Sequence, residues 1–182
     1  MNHVMLDIET LDTAPTAVVL SIGAVLFDPH TGETGLTFYA NLAHTLDAQQ
    51  RLGRTISGST IAWWMGQSEE ARAVFTPKIP NEQPLPRILE RLEPMLSSRQ
   101  VWGNGSDFDN VIMGSLYRSI EHPVPWRYSD NRCFRTLRAL AKDRGFASEI
   151  DLPREGIHHN ALDDALHQVK VLTRIYECLN LR

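Results

Sequence analysis

The sequence predicts an α/β fold in which a mixed central sheet is flanked by helices, and two patterns carry that prediction. The N-terminal quarter holds three apolar runs of strand length, at 4–9, 18–27 and 37–41. The remainder alternates helix-period segments with short strand-like runs, the order expected of a sheet covered by helices. The second and third strands are joined by the turn-forming Asp28-Pro29-His30-Thr31-Gly32, so the chain opens as an antiparallel meander. Helices are expected at 61–74 and 87–96, followed by a strand at Val101 and a helix at 108–120. A strand near Arg132 and a helix at 136–144 come next. The terminal helix is marked by Leu162, Ala165, Leu166, Val169, Leu172, Tyr176 and Leu179, which recur at helical spacing. Residues 44–58, rich in Gln, Arg and Gly, read as a long loop that closes over a ligand or meets a second subunit.

At 182 residues the chain fits one domain, 1–182, and a chain of that size buries roughly 70% of its unfolded surface. Eighteen basic and twenty-two acidic residues give a formal charge of −4, which argues against a long basic groove for nucleic acid. Cys133 and Cys178 are too few for a disulfide scaffold and point to a reducing cytoplasm. The longest apolar stretch, 17–27, contains Ser21 and Gly23 and falls short of the ~18 residues that cross a membrane. No segment reads as a signal peptide.

The first strand ends in Asp7-Ile8-Glu9-Thr10, which places two acids in an otherwise buried element. Alternation points both to one side, where like charges are unfavourable unless a cation lies between them. Carboxylate oxygens are the donors Mg²⁺ and Mn²⁺ prefer. Asn104-Gly105-Ser106-Asp107-Phe108-Asp109 reads as a glycine-bearing turn into a helix, with Asp107 or Asp109 available to cap it. His158-His159-Asn160-Ala161-Leu162-Asp163-Asp164 opens the terminal helix, and both acids there also suit the positive end of the helix dipole. Periodicity does not choose between Asp163 and Asp164.

These three segments, in this order, resemble the motifs of the DEDD exonuclease superfamily in its histidine-bearing DEDDh (DnaQ-like) branch. The resemblance covers nearly the whole chain and implies a ribonuclease H-like fold. It implies Asp7, Glu9, Asp109 and Asp164 as the acids that hold two divalent ions, Mg²⁺ or Mn²⁺, with Asp7 bridging them. It also implies His159 as general base, and it selects Asp109 over Asp107 and Asp164 over Asp163. Ser21 to Asp28, Ile61-Ala62-Trp63-Trp64 and the segment from Arg132 to Leu137 look most like the RNase AS group of phage and bacterial exoribonucleases, some of whose relatives carry an exodeoxyribonuclease VIII label.

The expected activity is removal of nucleotides from the 3′ end of single-stranded nucleic acid, RNA favoured, with release of nucleoside 5′-monophosphates. A DNA-degrading or proofreading enzyme with the same site is the alternative, and a non-catalytic binder of nucleic-acid ends is a more distant one. Thr10 and Leu11 resemble the positions that hold the terminal nucleotide, with Leu11 offering its base an apolar surface. Trp63 and Trp64 are candidates to stack on bases, but neighbours on a helix face ~100° apart, so at least one of them is expected in the core. Arg132, Arg135 and Arg138 are candidates for phosphate contact or for a solvated charged face. A homodimer is implied by resemblance alone.

Overall fold

The computed structural model describes residues 1–76 and 83–181. Its sheet contains β1 (His3–Thr10), β2 (Val19–Phe27), β3 (Thr34–Asn41), β4 (Gln100–Gly103) and β5 (Asn131–Cys133) in the order β3-β2-β1-β4-β5. The first three strands pair antiparallel, whereas β4 and β5 join β1 in parallel, so the sheet is mixed as expected. Seven helices accompany it among the described residues: α1 (Leu46–Arg51), α2 (Gly58–Met65), α3 (Glu69–Arg72), α4 (Leu85–Leu96), α5 (Asp109–Ser119), α6 (Phe134–Asp143) and α7 (Ala161–Cys178).

Alternation along β1 divides the interior. Val4, Leu6 and Ile8 enter a core with Leu89 and Leu92 of α4 and Ile112 and Leu116 of α5. Met5 faces the opposite way, into a core with Trp102, Phe134, Val169 and Leu172 beneath α6 and α7. Asp7 and Glu9 continue this second row. β2 is buried along its whole length, which explains its unbroken apolar run.

α7 lies close to the sheet because β2 has no side chain at Gly23, the cross-strand partner of Asp7. A Cβ there would stand 2.2 Å from the Ala161 carbonyl group. The first turn of α7 therefore rests on the strand beside β1 and brings Asp164 to Asp7.

Two expected elements differ from the structure. The helix predicted at 61–74 is two helices, because Gly66 closes α2 by donating to the Trp63 carbonyl and the Ser68 hydroxyl then accepts from the Ala71 N–H to start α3. The segment 44–58 is not an unstructured loop. A 3-10 turn at Ala43–Thr45 leads into α1, and the buried Gln49 amide accepts from the Val19 N–H at 2.9 Å and donates to its carbonyl at 2.8 Å. Arg54 then clamps the Ala17 carbonyl with two donors, at 2.8 and 2.6 Å. These bonds tie the segment to the start of β2. No helix among the described residues is long and apolar enough to cross a membrane.

Candidate active site

Asp7, Glu9 and Asp164 offer carboxylate oxygens that lie within 4.8 Å of one another, at the mouth of a cavity of about 370 Å³. All three are buried. Asp109 lines the same cavity from the start of α5 and accepts the Ile8 N–H through Oδ1 at 3.3 Å. Its other oxygen, Oδ2, is buried with no hydrogen-bond partner among the described residues. Gly103 at the end of β4 permits this approach, since a Cβ there would stand 2.4 Å from Asn110 Oδ1 and 3.0 Å from Asp109 Oδ2. Neither Asp107 nor Asp109 caps α5, whose N-cap residue is Phe108 with no side-chain capping bond.

Burial holds the Asp7 carboxyl well above the usual carboxylate range, and the charges of Asp109 and Glu9 push it further in the same direction. Burial likewise raises Asp109. The protein alone thus leaves a cluster of acids that resist sharing negative charge. One bond opposes this, the 2.6 Å hydrogen bond that Gln168 donates to Asp7 Oδ1. Gln168 lies one turn beyond Asp164 on α7. A nearby cation acts in the same sense: Arg154, whose guanidinium pairs with Asp164.

His159 precedes the terminal helix rather than riding on it. α7 begins at Ala161, and Asn160 caps it by accepting from the Leu162 and Asp163 N–H groups. His159 occupies a left-handed backbone conformation, φ 64°, uncommon for a residue with a side chain and typical of functional turns. Its Nδ1 stands 3.7 Å from Glu9 Oε1, and its N–H donates to Asp164 Oδ2 at 3.3 Å. Asp163 faces away and accepts the Ile157 N–H at 2.7 Å, which fixes the turn. The imidazole is packed edge-on against Trp63 at 4.8 Å and stacked on His158 at 3.9 Å between ring centroids.

The adjacent tryptophans divide as expected. Trp64 is 1% exposed and donates its indole N–H to the Thr10 carbonyl at 2.9 Å, whereas Trp63 is 44% exposed. Trp63 lines a second cleft of about 360 Å³ with Ile8, Thr10 and Phe108, adjoining the acids through Glu9. Leu11 does not line this cleft. At 2% exposure its side chain packs with Val18, Leu20 and Trp64, whereas Trp63 and Phe108 line the cleft. The Thr10 hydroxyl is engaged with the Asp12 carbonyl at 2.7 Å.

The family described as the 3′-5′ exoribonuclease Rv2179c-like domain matches residues 2–176. The chain belongs to this family. Among curated proteins it is similar to an exodeoxyribonuclease of Enterobacteria phage T4, with 28% identity over 134 residues, 66% of this chain and 58% of that protein. The chain therefore spans somewhat over half the length of that relative. Among solved structures the nuclease domain of 3′hExo, a DEDDh family member bound to rAMP, has a TM-score of 0.63 at 12% identity, covering 96% of this chain and 91% of that one. Pop2p of S. pombe, in its Mg²⁺- and Mn²⁺-bound form, has a TM-score of 0.61 at 14% identity, covering 97% and 83%. The fold is ribonuclease H-like.

The Rv2179c-like site also contains residues that sequence reading missed. Gln168 had a signal, a polar residue four positions from Asp164 inside an apolar stripe. Gly23 and Gly103 had none, because the close approaches they permit depend on which elements meet across the sheet.

Proposed function

We propose that this protein is a metal-dependent 3′-to-5′ exonuclease acting on single-stranded nucleic acid, RNA favoured, and releasing nucleoside 5′-monophosphates. The observation that carries this reading is the convergence of Asp7, Glu9 and Asp164 within 4.8 Å, with Asp109 and His159 on the walls of the same cavity. The all-carboxylate donor set, the unpartnered Asp109 Oδ2 and the raised pKa of Asp7 fit a pair of Mg²⁺ or Mn²⁺ ions held by Asp7, Glu9, Asp109 and Asp164. Such ions, when bound, supply Lewis-acid stabilisation to the oxygens entering and leaving phosphorus.

The chain's own groups do the rest. His159 takes a proton from the attacking water as the water oxygen bonds to phosphorus, the bond from phosphorus to the 3′-oxygen breaks, and the released 3′-oxygen takes a proton from solvent. The imidazolium so formed is stabilised by Glu9, 3.7 Å away. The cleft of Trp63, Phe108 and Ile8 receives the terminal base, with Thr10 at its edge. Ser59 and Thr60, which line the same cleft, place hydroxyls within it for the sugar.

RNA is favoured by the exoribonuclease family the chain belongs to. DNA is the second reading, favoured by the similarity to the phage exodeoxyribonuclease. The unbridged Cys133 and Cys178 fit a reducing cytoplasm. A homodimer belongs to this reading by resemblance, and sedimentation of the active species tests it directly.

The deciding experiment follows 5′-labelled RNA and DNA of matched sequence with Mg²⁺ or Mn²⁺, using Asp7→Ala protein as the contamination control. A descending ladder on RNA alone is expected. Comparable ladders on both would make the enzyme a general end-trimming nuclease, and wild type indistinguishable from the variant on both would leave only an end binder.

A further inference from the structure

The acid cluster lines a cavity that also has a basic arm, and through Glu9 it adjoins a second cleft of unlike chemistry. That cleft is largely apolar, built around Trp63, Phe108 and Ile8. The basic arm of the cavity comes from Arg135 and Arg138 of α6 and from His167 of α7, and the cavity shares only Ile8, Glu9 and Phe108 with the cleft. Sequence alone left three α6-region arginines equivalent; the structure separates them. Arg132 is turned away, bonded to Gln100 Oε1 and to the Ser129 and Asn131 carbonyls. Arg135 is anchored at the rim by a 2.6 Å bond to the Asn104 carbonyl.

Arg138 is different. It lines the cavity, yet it has no ion pair or hydrogen bond among the described residues, and its Nε is buried without an acceptor. His167 presents a second buried nitrogen, Nδ1, also without a partner. Leaving a buried donor unsatisfied costs about 1–3 kcal/mol, more for a charged group, so the partner of the Arg138 guanidinium is expected to arrive from outside and to be anionic. The acids beside it are committed elsewhere: Asp164 to Arg154 and Asp7 to Gln168.

We infer that Arg138, with His167 beside it and Arg135 at the rim, grips the phosphodiester immediately 5′ of the scissile one. This rests on the exonuclease reading and extends it. A strand whose terminal base fills the apolar cleft and whose scissile phosphate meets the acids has its next phosphate at the basic arm. Guanidinium is suited to that task because its planar fork matches two phosphate oxygens. The arrangement also gives a chain of net charge −4 a local foothold for a polyanion, because Arg135 and Arg138 line the cavity beside the acids.

The test is a cycle between protein and substrate. Wild type and Arg138→Gln are compared on an oligonucleotide, and on the same oligonucleotide carrying one uncharged methylphosphonate at the linkage 5′ of the scissile bond. First-turnover kcat and KM are read for each. Either change alone should raise KM about tenfold with kcat little altered, the size expected for one charge-assisted contact, and the two together should cost no more than one. Arg138→Lys should recover part of the loss. Penalties that multiply would overturn the inference, as would a methylphosphonate that wild type does not notice, a result needing no variant protein. Failure of wild type to shorten either oligonucleotide would instead remove the exonuclease reading.

Discussion

The two faces of the central sheet are built from one strand but to opposite ends. On one face Val4, Leu6 and Ile8 of β1 join an apolar core with α4 and α5. On the other the row begins as Met5 and continues as Asp7 and Glu9, where α7 contributes Asp164 and Gln168. The first face holds the fold together. The second gives up part of its apolar cover to gather charges that repel one another. Because alternation assigns neighbouring residues to different faces, single substitutions along β1 should separate stability from activity.

The largest effect is expected from the pair Leu6→Ala and Asp7→Asn. The first leaves a cavity in the apolar face and should cost about 2–5 kcal/mol of stability, while activity per folded molecule survives at low temperature. The second should abolish exonuclease activity and weaken Mn²⁺ binding, yet leave the metal-free protein at least as stable, since it removes one of the crowded charges. Denaturant unfolding and calorimetric titration read both. Equal Mn²⁺ affinity in wild type and Asp7→Asn would sink the ligand assignment.

His159 sharpens the comparison within the polar face. It touches the acids but belongs to a turn rather than to the sheet, so His159→Ala should spare ion binding and lower kcat by ~10²–10⁴-fold, the share a general base supplies. A variant that loses Mn²⁺ affinity along with rate would make the imidazole a ligand, a role its neighbourhood with His158 and Asp164 also permits.

Much of this division was legible in the sequence, and the failures have physical causes. The strand acids showed themselves because two charges in a buried run have few structural explanations. Periodicity does not separate Asp164 from Asp163, because it fixes the stripe and not its rotation against the sheet; only the family spacing selects Asp164, and the seat of α7 on Gly23 shows why that acid meets Asp7. The break between α2 and α3 was missed because the apolar spacing from Ile61 to Val74 continues across it, and only the Ser68 cap marks the restart. α1 escaped notice because its anchor is a polar side chain: Gln49 imitates a neighbouring strand toward Val19, which no hydrophobic pattern records. Leu11 follows Thr10 in the motif, but it lies just past the end of β1, where its side chain packs with Val18, Leu20 and Trp64.

The two tryptophans extend the same contrast to smaller effects. Trp63→Ala should raise KM by the ~1–3 kcal/mol that stacking on one base provides and leave the melting temperature nearly unchanged. Trp64→Phe removes the indole bond to the Thr10 carbonyl and should cost about 1–3 kcal/mol of stability, with KM little moved. A reversed pattern, with Trp63 governing stability, would place the base elsewhere.

The smallest effect is a slope. Burial and mutual repulsion raise Asp7 and Asp109 in the folded protein, so above ~pH 4, where the unfolded chain has released these protons, the metal-free native state still holds them. With more protons bound to the native state than to the unfolded one, stability falls as pH rises from ~4 through the folded values. Carboxylates lowered by hydrogen bonds, such as Asp28 and Asp130, act in the opposite sense, but their contribution is already complete above ~4. His3, His158 and His167, lowered by burial, add stability as pH rises through ~6.5, and they are common to wild type and Asp7→Asn. The difference between those two proteins therefore isolates the acid cluster. In EDTA the advantage of Asp7→Asn should widen from pH 4 to pH 8, and in saturating Mg²⁺ it should shrink or reverse, because a cation relieves in wild type the repulsion that the substitution had removed. A gap that stays constant with pH in EDTA would mean that Asp7 carries no such strain, and that the polar face is no less comfortable than the apolar one.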